Sequence, residues 1–142
     1  MNVVPPEFID EVMRTGAMAL ASERHRLGTA APRNAANWPK FSTWQLVCEE
    51  ILDTEHESHW LDDVVAELGR RGFTAAQIQA MRRFAWRTAG WLNYELMLWD
   101  WCNLDESDIR RALQRQLELG IVSAPEYEAS LRLVEHPEFC VE

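Results

Sequence analysis

The chain has 142 residues, of which 47% are hydrophobic, and a formal net charge of −9. This size predicts a single domain over residues 1–142 with a hydrophobic core, and the composition excludes a disordered chain. The negative charge argues against binding to nucleic acid, which depends on Lys and Arg. No apolar run reaches the roughly 18–20 residues of a membrane span. The first residues do not resemble a signal peptide, so we predict a cytoplasmic protein without membrane contact.

The three cysteines, Cys48, Cys102 and Cys140, are widely spaced and odd in number. This spacing argues against a disulfide framework or a zinc knuckle. We expect reduced thiols, with Cys140 nearer the surface than the other two.

Apolar residues recur at helical spacing along most of the chain. A first helix begins after Pro5 and Pro6 and is predicted to continue to about Arg26, and residues 28–41, rich in Gly, Pro and Asn, predict a loop. Residues 53–58 contain a break, because the apolar stripes on either side do not align on one helix. Capping residues predict the remaining helix starts: Ser42, Thr74 with Gln77, Asp105 or Ser107, and Ser123.

No strand-like alternation persists for more than a few residues. Helix ends are predicted at Gly69–Gly72 and Gly120, and residues 137–142 form a C-terminal tail. The fold class is therefore predicted to be all-α, a compact bundle of about six helices. One of them, over about residues 75–102, is long, rich in Trp and largely buried.

From Thr88 onward, this long helix has almost no polar side. A helix that is apolar all round must be covered on all sides, either by its own domain or by a partner. Glu95 lies in the middle of the most apolar face. We therefore expect a buried carboxylate at Glu95, and a buried carboxylate needs a partner such as Arg.

Another side of the same helix combines aromatic and basic residues. Trp is enriched at interaction hot spots, and Arg binds carboxylates and other anions. The alternatives are that Trp fills the core and that these Arg side chains bond to the chain's own acidic helices. The predicted interaction residues are Arg83, Trp86, Arg87, Tyr94 and Trp101, with Arg82 in the same basic cluster.

The densest polar cluster lies within residues 49–63. On a helix, His59 shares a face with His56 and Asp63, and Asp53-x-x-His56 is a relative of the di-iron motif. Imidazole and carboxylate at this spacing suit zinc, manganese or iron. The candidate metal ligands are therefore Asp53, His56, His59 and Asp63, and the alternative is a solvated acidic helix face at a bend.

The sequence contains no nucleophile elbow, P-loop or dinucleotide-binding motif. We therefore predict an acidic helical interaction protein without catalysis and without a cofactor. It would bind a protein partner, in an inhibitor, immunity or adaptor role, or a second copy of itself. The alternative is a helical-bundle metal-binding protein or enzyme that uses the His56/His59 carboxylate cluster.

Overall fold

A computed structural model describes residues 6–26, 38–51, 60–95 and 104–141 of the chain. The side chains of residues 17, 24–26, 38, 60 and 95 lie outside this description. Within it, the regular secondary structure is helical, which confirms the all-α prediction. The α-helices are α1 (Pro6–Thr15), α2 (Ala17–Arg26), α3 (Thr43–Cys48), α4 (Trp60–Arg70), α5 (Ala75–Ala85), α6 (Trp91–Glu95), α7 (Glu106–Glu118) and α8 (Ala124–Glu135).

The predicted helix caps are present where they can be observed. Ser42 caps α3, and its side chain accepts a hydrogen bond from the Gln45 amide. Three other helices begin with a capping box. In this motif the N-cap side chain accepts from the backbone amide of the third helical residue, whose side chain accepts from the N-cap amide. The boxes are formed by Thr74 with Gln77 in α5, Asp105 with Asp108 in α7 and Ser123 with Glu126 in α8.

The first helix is interrupted at Gly16, which corrects the prediction of one helix to about Arg26. A Cβ atom at Gly16 would lie 2.5 Å from the Val12 carbonyl oxygen and 2.9 Å from Nη2 of Arg82. A side chain at this position would therefore overlap the backbone at the end of α1 and crowd the guanidinium of Arg82. Helical periodicity records neither contact.

The long Trp-rich helix is described from Ala75 to Glu95 and consists of α5, a π-helical turn over Trp86–Gly90, and α6. Its described part is largely buried, as predicted. Residues 96–102, where we expect it to continue, lie outside the described residues. The π turn is wider than an α turn, and the backbone amide of Trp91 reaches the carbonyl of Trp86, five residues earlier.

The helices enclose a core that includes α5 and the π turn. Helix α2 packs along α4, α3 packs on α5, and α7 lies between α8 and the π turn. A buried hydrogen bond of 2.8 Å from Nε1 of Trp44 to the Val134 carbonyl joins α3 to α8. None of the helices in the described ranges is both long enough and apolar enough to cross a lipid bilayer.

The C-terminal tail is docked on the fold as far as residue 141. Pro137–Phe139 form a 3-10 turn, and Nε2 of Gln77 donates a 3.0 Å hydrogen bond to the Glu138 carbonyl. Cys140 is buried, with 3% of its surface exposed, although we expected it nearer the surface. The correction follows from this docking, which brings the chain end against α5.

Candidate functional site

A buried ion pair lies beneath the interruption between α1 and α2. The guanidinium of Arg82 meets the carboxylate of Glu50 through two hydrogen bonds, Nε to Oε1 at 2.7 Å and Nη2 to Oε2 at 2.8 Å. The Arg82 side chain is 0% exposed and the Glu50 side chain is 5% exposed. A bidentate pair of this kind has the strongest geometry available to Arg and a carboxylate.

Further groups complete the hydrogen bonding of this pair. Nη1 of Arg82 donates to Oε1 of Gln79 at 2.7 Å, and Nε1 of Trp86 donates to Oε1 of Glu50 at 3.2 Å. Gly16 leaves the space that the pair occupies. We interpret this closed set of bonds as a structural element, because its charged atoms are removed from any ligand in solution.

The π turn is held from outside by α7. Nε2 of Gln116 donates a 2.8 Å hydrogen bond to the carbonyl oxygen of Arg87, within the turn. The hydroxyl of Thr88 donates to the Phe84 carbonyl at 2.8 Å. Gly90 lies against the ring of Trp86, which a Cβ atom would approach to 2.9 Å. Such turns in long helices are frequent at functional sites, and this one borders a cavity.

The cavity has a volume of about 370 Å³ and lies between α1, the π turn and the α7–α8 hairpin. Its size is within the range of ligand pockets, roughly 300–1,000 Å³. Apolar side chains form much of the wall, and polar side chains complete it. The apolar group is Ile9, Phe84, Leu113, Ile121 and Val122, and the polar group includes Arg83, Arg87, Thr88, Gln116, Glu126 and Ser130.

Trp91 is also part of the cavity wall, and its side chain carries an unsatisfied donor. The residue is 0% exposed, and its Nε1 has no hydrogen-bond acceptor among the described residues. An unsatisfied buried donor costs about 1–3 kcal/mol, so native proteins rarely retain one without a reason. An acceptor supplied by a bound molecule is one such reason.

Arg87 is the second unusual polar group of this wall. It is exposed, and its guanidinium lies 5.6 Å from the centre of the Phe84 ring. Partial desolvation and the neighbouring charge of Arg83 lower the pKa of Arg87 from its ordinary value. It remains a cation, since Arg is not deprotonated in proteins, and the same surroundings favour a nearby anion.

A second concavity, the basic groove, lies on the other side of α7. It has a volume of about 640 Å³ and is formed by Leu92 of α6, five residues of α7, and Tyr127 and Leu131 of α8. The α7 residues are Arg110, Arg111, Gln114, Arg115 and Glu118. Arg115 and Glu118 form an exposed ion pair of 3.3 Å, whereas Arg110 and Arg111 are exposed and form no ion pair with any described residue.

The predicted interaction residues have different environments. Trp86 is 4% exposed and is covered within the chain by Phe8, at 6.0 Å between ring centres, and by Tyr94, at 6.3 Å. Tyr94 itself is 38% exposed. Arg83 forms a 2.7 Å ion pair with Asp10 of α1. Trp101 lies outside the described residues.

At Trp86 the alternative interpretation therefore applies, because the side chain is covered by the chain itself and is not exposed for a partner. Salt bridges to the chain's own acidic residues likewise apply at Arg82 and Arg83. Arg83 and Arg87 are brought together, since both line the same cavity.

The metal hypothesis concerns residues that the structure describes only in part. Asp53, His56 and His59 lie outside the described residues, and Asp63 is 8% exposed on α4. Among the residues that can be examined, no three metal-ligating side chains are grouped for a metal ion. The side chain of Glu95 is likewise outside the description, so its burial and its Arg partner stay predictions.

Two buried ionisable groups lie at the end of α3. Burial raises the pKa of Glu49 to about 7, and Glu49 is 5% exposed. The pKa of the Cys48 thiol is raised well above its ordinary value by burial and then by the nearby charge of Asp108. Burial also raises the pKa of Cys140 to about 11. Both thiols are therefore protonated at neutral pH and poorly nucleophilic.

Sequence reasoning missed Glu50, Trp91 and the basic groove as features of interest. Arg82 carried a signal, since it lies on the same helical stripe as the buried Ile78 and Trp86. Arg on an apolar stripe indicates a buried acidic partner. No local signal marked the cavity, because its walls come from distant parts of the chain.

No protein-family model, curated protein sequence or solved structure shows significant similarity to this chain.

Proposed function

We propose that the protein is a non-catalytic binding protein whose basic groove holds an acidic, amphipathic segment of a partner protein. The observation that carries this proposal is the state of Arg110 and Arg111. Both are exposed at the groove and form no ion pair with a described residue, in a chain whose net charge is −9. Unpaired cations in a strongly acidic protein attract negatively charged groups locally, whereas the rest of the surface repels them.

The chemistry of the groove favours a segment with two unlike faces. The partly exposed Tyr127 and Leu131 supply apolar contact area, and the guanidinium groups of Arg110 and Arg111 supply paired donors for carboxylates. An amphipathic helix with Leu on one face and Glu on the adjacent face would satisfy both requirements. Arg and Tyr are also the residue types enriched where protein interfaces concentrate their binding energy.

The distribution of charge would restrict how such a partner docks. An acidic segment is repelled by a chain of net charge −9 except where Arg groups outweigh the carboxylates. Electrostatic complementarity of this kind chiefly sets specificity and the association rate. Binding should therefore weaken as salt is added, because exposed charges are screened.

The experiment compares the wild type with the double variant Arg110→Glu/Arg111→Glu. Arg132→Glu is the matched control, because Arg132 is an exposed arginine of α8 that does not line the groove. Binding is measured by fluorescence anisotropy with a synthetic helical peptide that carries Leu and Glu on adjacent faces, and with its Lys counterpart. We expect the wild type and the control to bind the Glu peptide, and the double variant to lose at least about tenfold in affinity.

Equal binding of the Glu peptide by all three proteins, or equal binding of both peptides by the wild type, would contradict the proposal. Light scattering on the same samples tests a different occupant. A wild type that self-associates, together with a monomeric double variant, would assign the groove to a second copy of the chain instead of a partner protein.

A further inference from the structure

We infer that the cavity beside the π turn is a binding site for a small apolar carboxylic acid. The inference is independent of the basic groove, because the cavity lies on the opposite side of α7 and shares no lining residue with the groove. It concerns a small molecule, whereas the proposed function concerns a protein partner.

The apolar walls define the body of the ligand. Phe84 is 2% exposed and Leu113 is 1% exposed, and with Ile9 and Ile121 they form the floor of the cavity, which has a volume of about 370 Å³. Its rim is open to solvent, where Pro6 and Glu126 are exposed. A short hydrocarbon chain or an aromatic ring would fill it and remove apolar surface from water.

The polar groups of the wall define the head of the ligand. Arg87 offers a guanidinium for which no ion pair is formed with any described residue, and Trp91 offers a buried N–H without an acceptor in the described chain. A carboxylate provides two acceptor oxygens and a negative charge, which suit a guanidinium and an N–H donor. A cation would be repelled by Arg87, and an uncharged hydrocarbon would leave the indole donor unsatisfied.

The remaining charged groups of the wall are already engaged. Arg83 is bound to Asp10 at 2.7 Å. The carboxylate of Glu126 accepts a 3.0 Å hydrogen bond from the Ser123 amide in the capping box of α8. The amide of Gln116 is committed to the π turn. Among the nitrogen donors of this wall, Arg87 and Trp91 are those for which the described chain supplies no acceptor, while Glu126 keeps its negative charge at the rim.

Octanoate and 1-octanol are suitable probes, because they share a hydrocarbon chain and differ in the charged head. Titration calorimetry of the full chain should detect octanoate binding, with 1-octanol bound at least about tenfold more weakly. Arg87→Gln should weaken octanoate binding by a similar factor and leave 1-octanol unchanged. The control Arg132→Gln alters an exposed arginine of α8 that lines neither concavity and should bind octanoate like the wild type.

A second measurement follows the indole proton of Trp91 by nitrogen–proton correlation spectroscopy, with its resonance assigned from Trp91→Phe. Octanoate should move this resonance downfield, as expected for a new hydrogen bond, and 1-octanol should move it less. Equal affinity for the two probes would overturn the inference. Unchanged octanoate binding by Arg87→Gln would also overturn it, as would an indole resonance that is insensitive to octanoate.

Discussion

Removing the charge of Glu50 tests whether the buried ion pair is a closed structural element. Glu50→Gln keeps the shape of the side chain but leaves the guanidinium of Arg82, which is 0% exposed, without a counter-ion. It also replaces one of the two carboxylate oxygens that accept hydrogen bonds from Nε and Nη2, at 2.7 and 2.8 Å, with an NH2 group, which cannot accept a hydrogen bond. Breaking a buried pair in this way costs about 3–5 kcal/mol.

The assay is chemical denaturation at neutral pH, supported by the melting temperature, which should fall by roughly 2–4 °C per kcal/mol for a chain near this size. Arg83→Gln is the matched control, because Arg83 and Asp10 form a pair that is 39% and 60% exposed. It should cost about 0–1 kcal/mol. Adding Arg82→Met to Glu50→Gln should recover part of the loss, since no buried charge then remains. A loss below about 1 kcal/mol for Glu50→Gln would refute the closed arrangement.

Substitutions at Glu49, Gly16 and Gln116 should change stability for three different reasons. The pKa of Glu49 is raised from 4.5 to about 7, so the folded state binds the proton more tightly and stability should fall as pH rises across this interval. Glu49→Gln should abolish this pH dependence of the free energy of unfolding, as measured by chemical denaturation. The variant should be as stable as the wild type near pH 4.5. Gly16→Ala should cost about 1–3 kcal/mol in the same assay, because its methyl group would overlap the Val12 carbonyl. Gln116→Leu should also cost about 1–3 kcal/mol, because the carbonyl in the π turn loses its donor.

Local features of the fold could be predicted from the sequence because their causes are local. Thr74 and Ser123 cap their helices through residues three positions away. Gly72 and Gly120 end helices with φ values of 96° and 73°, which side chains other than that of glycine rarely adopt. Each of these determinants lies within a few residues of its effect.

The features that depend on distant contacts could not be predicted in the same way. Gly16, at the interruption between α1 and α2, lies against the guanidinium of Arg82 and the carboxylate of Glu50, both far along the chain. The prediction of a buried carboxylate at Glu95 is untested, because that side chain lies outside the description. The buried pair that the structure describes contains Glu50, which periodicity did not mark, because its partner Arg82 comes from a distant helix.

Arginine carries almost all of the positive charge in this chain, since Lys40 is the single lysine. The arginine side chains lie in different environments. Arg82 is enclosed with Glu50, and Arg83 is paired with Asp10 at the surface. Arg87, Arg110 and Arg111 differ from these, because each lines a concavity and forms no ion pair with a described residue. Arg is suited to this position, since its planar guanidinium binds carboxylates through two donors and stacks on rings. From these unpaired groups we expect affinity for carboxylates at the two concavities, where substitutions should change binding without changing the fold.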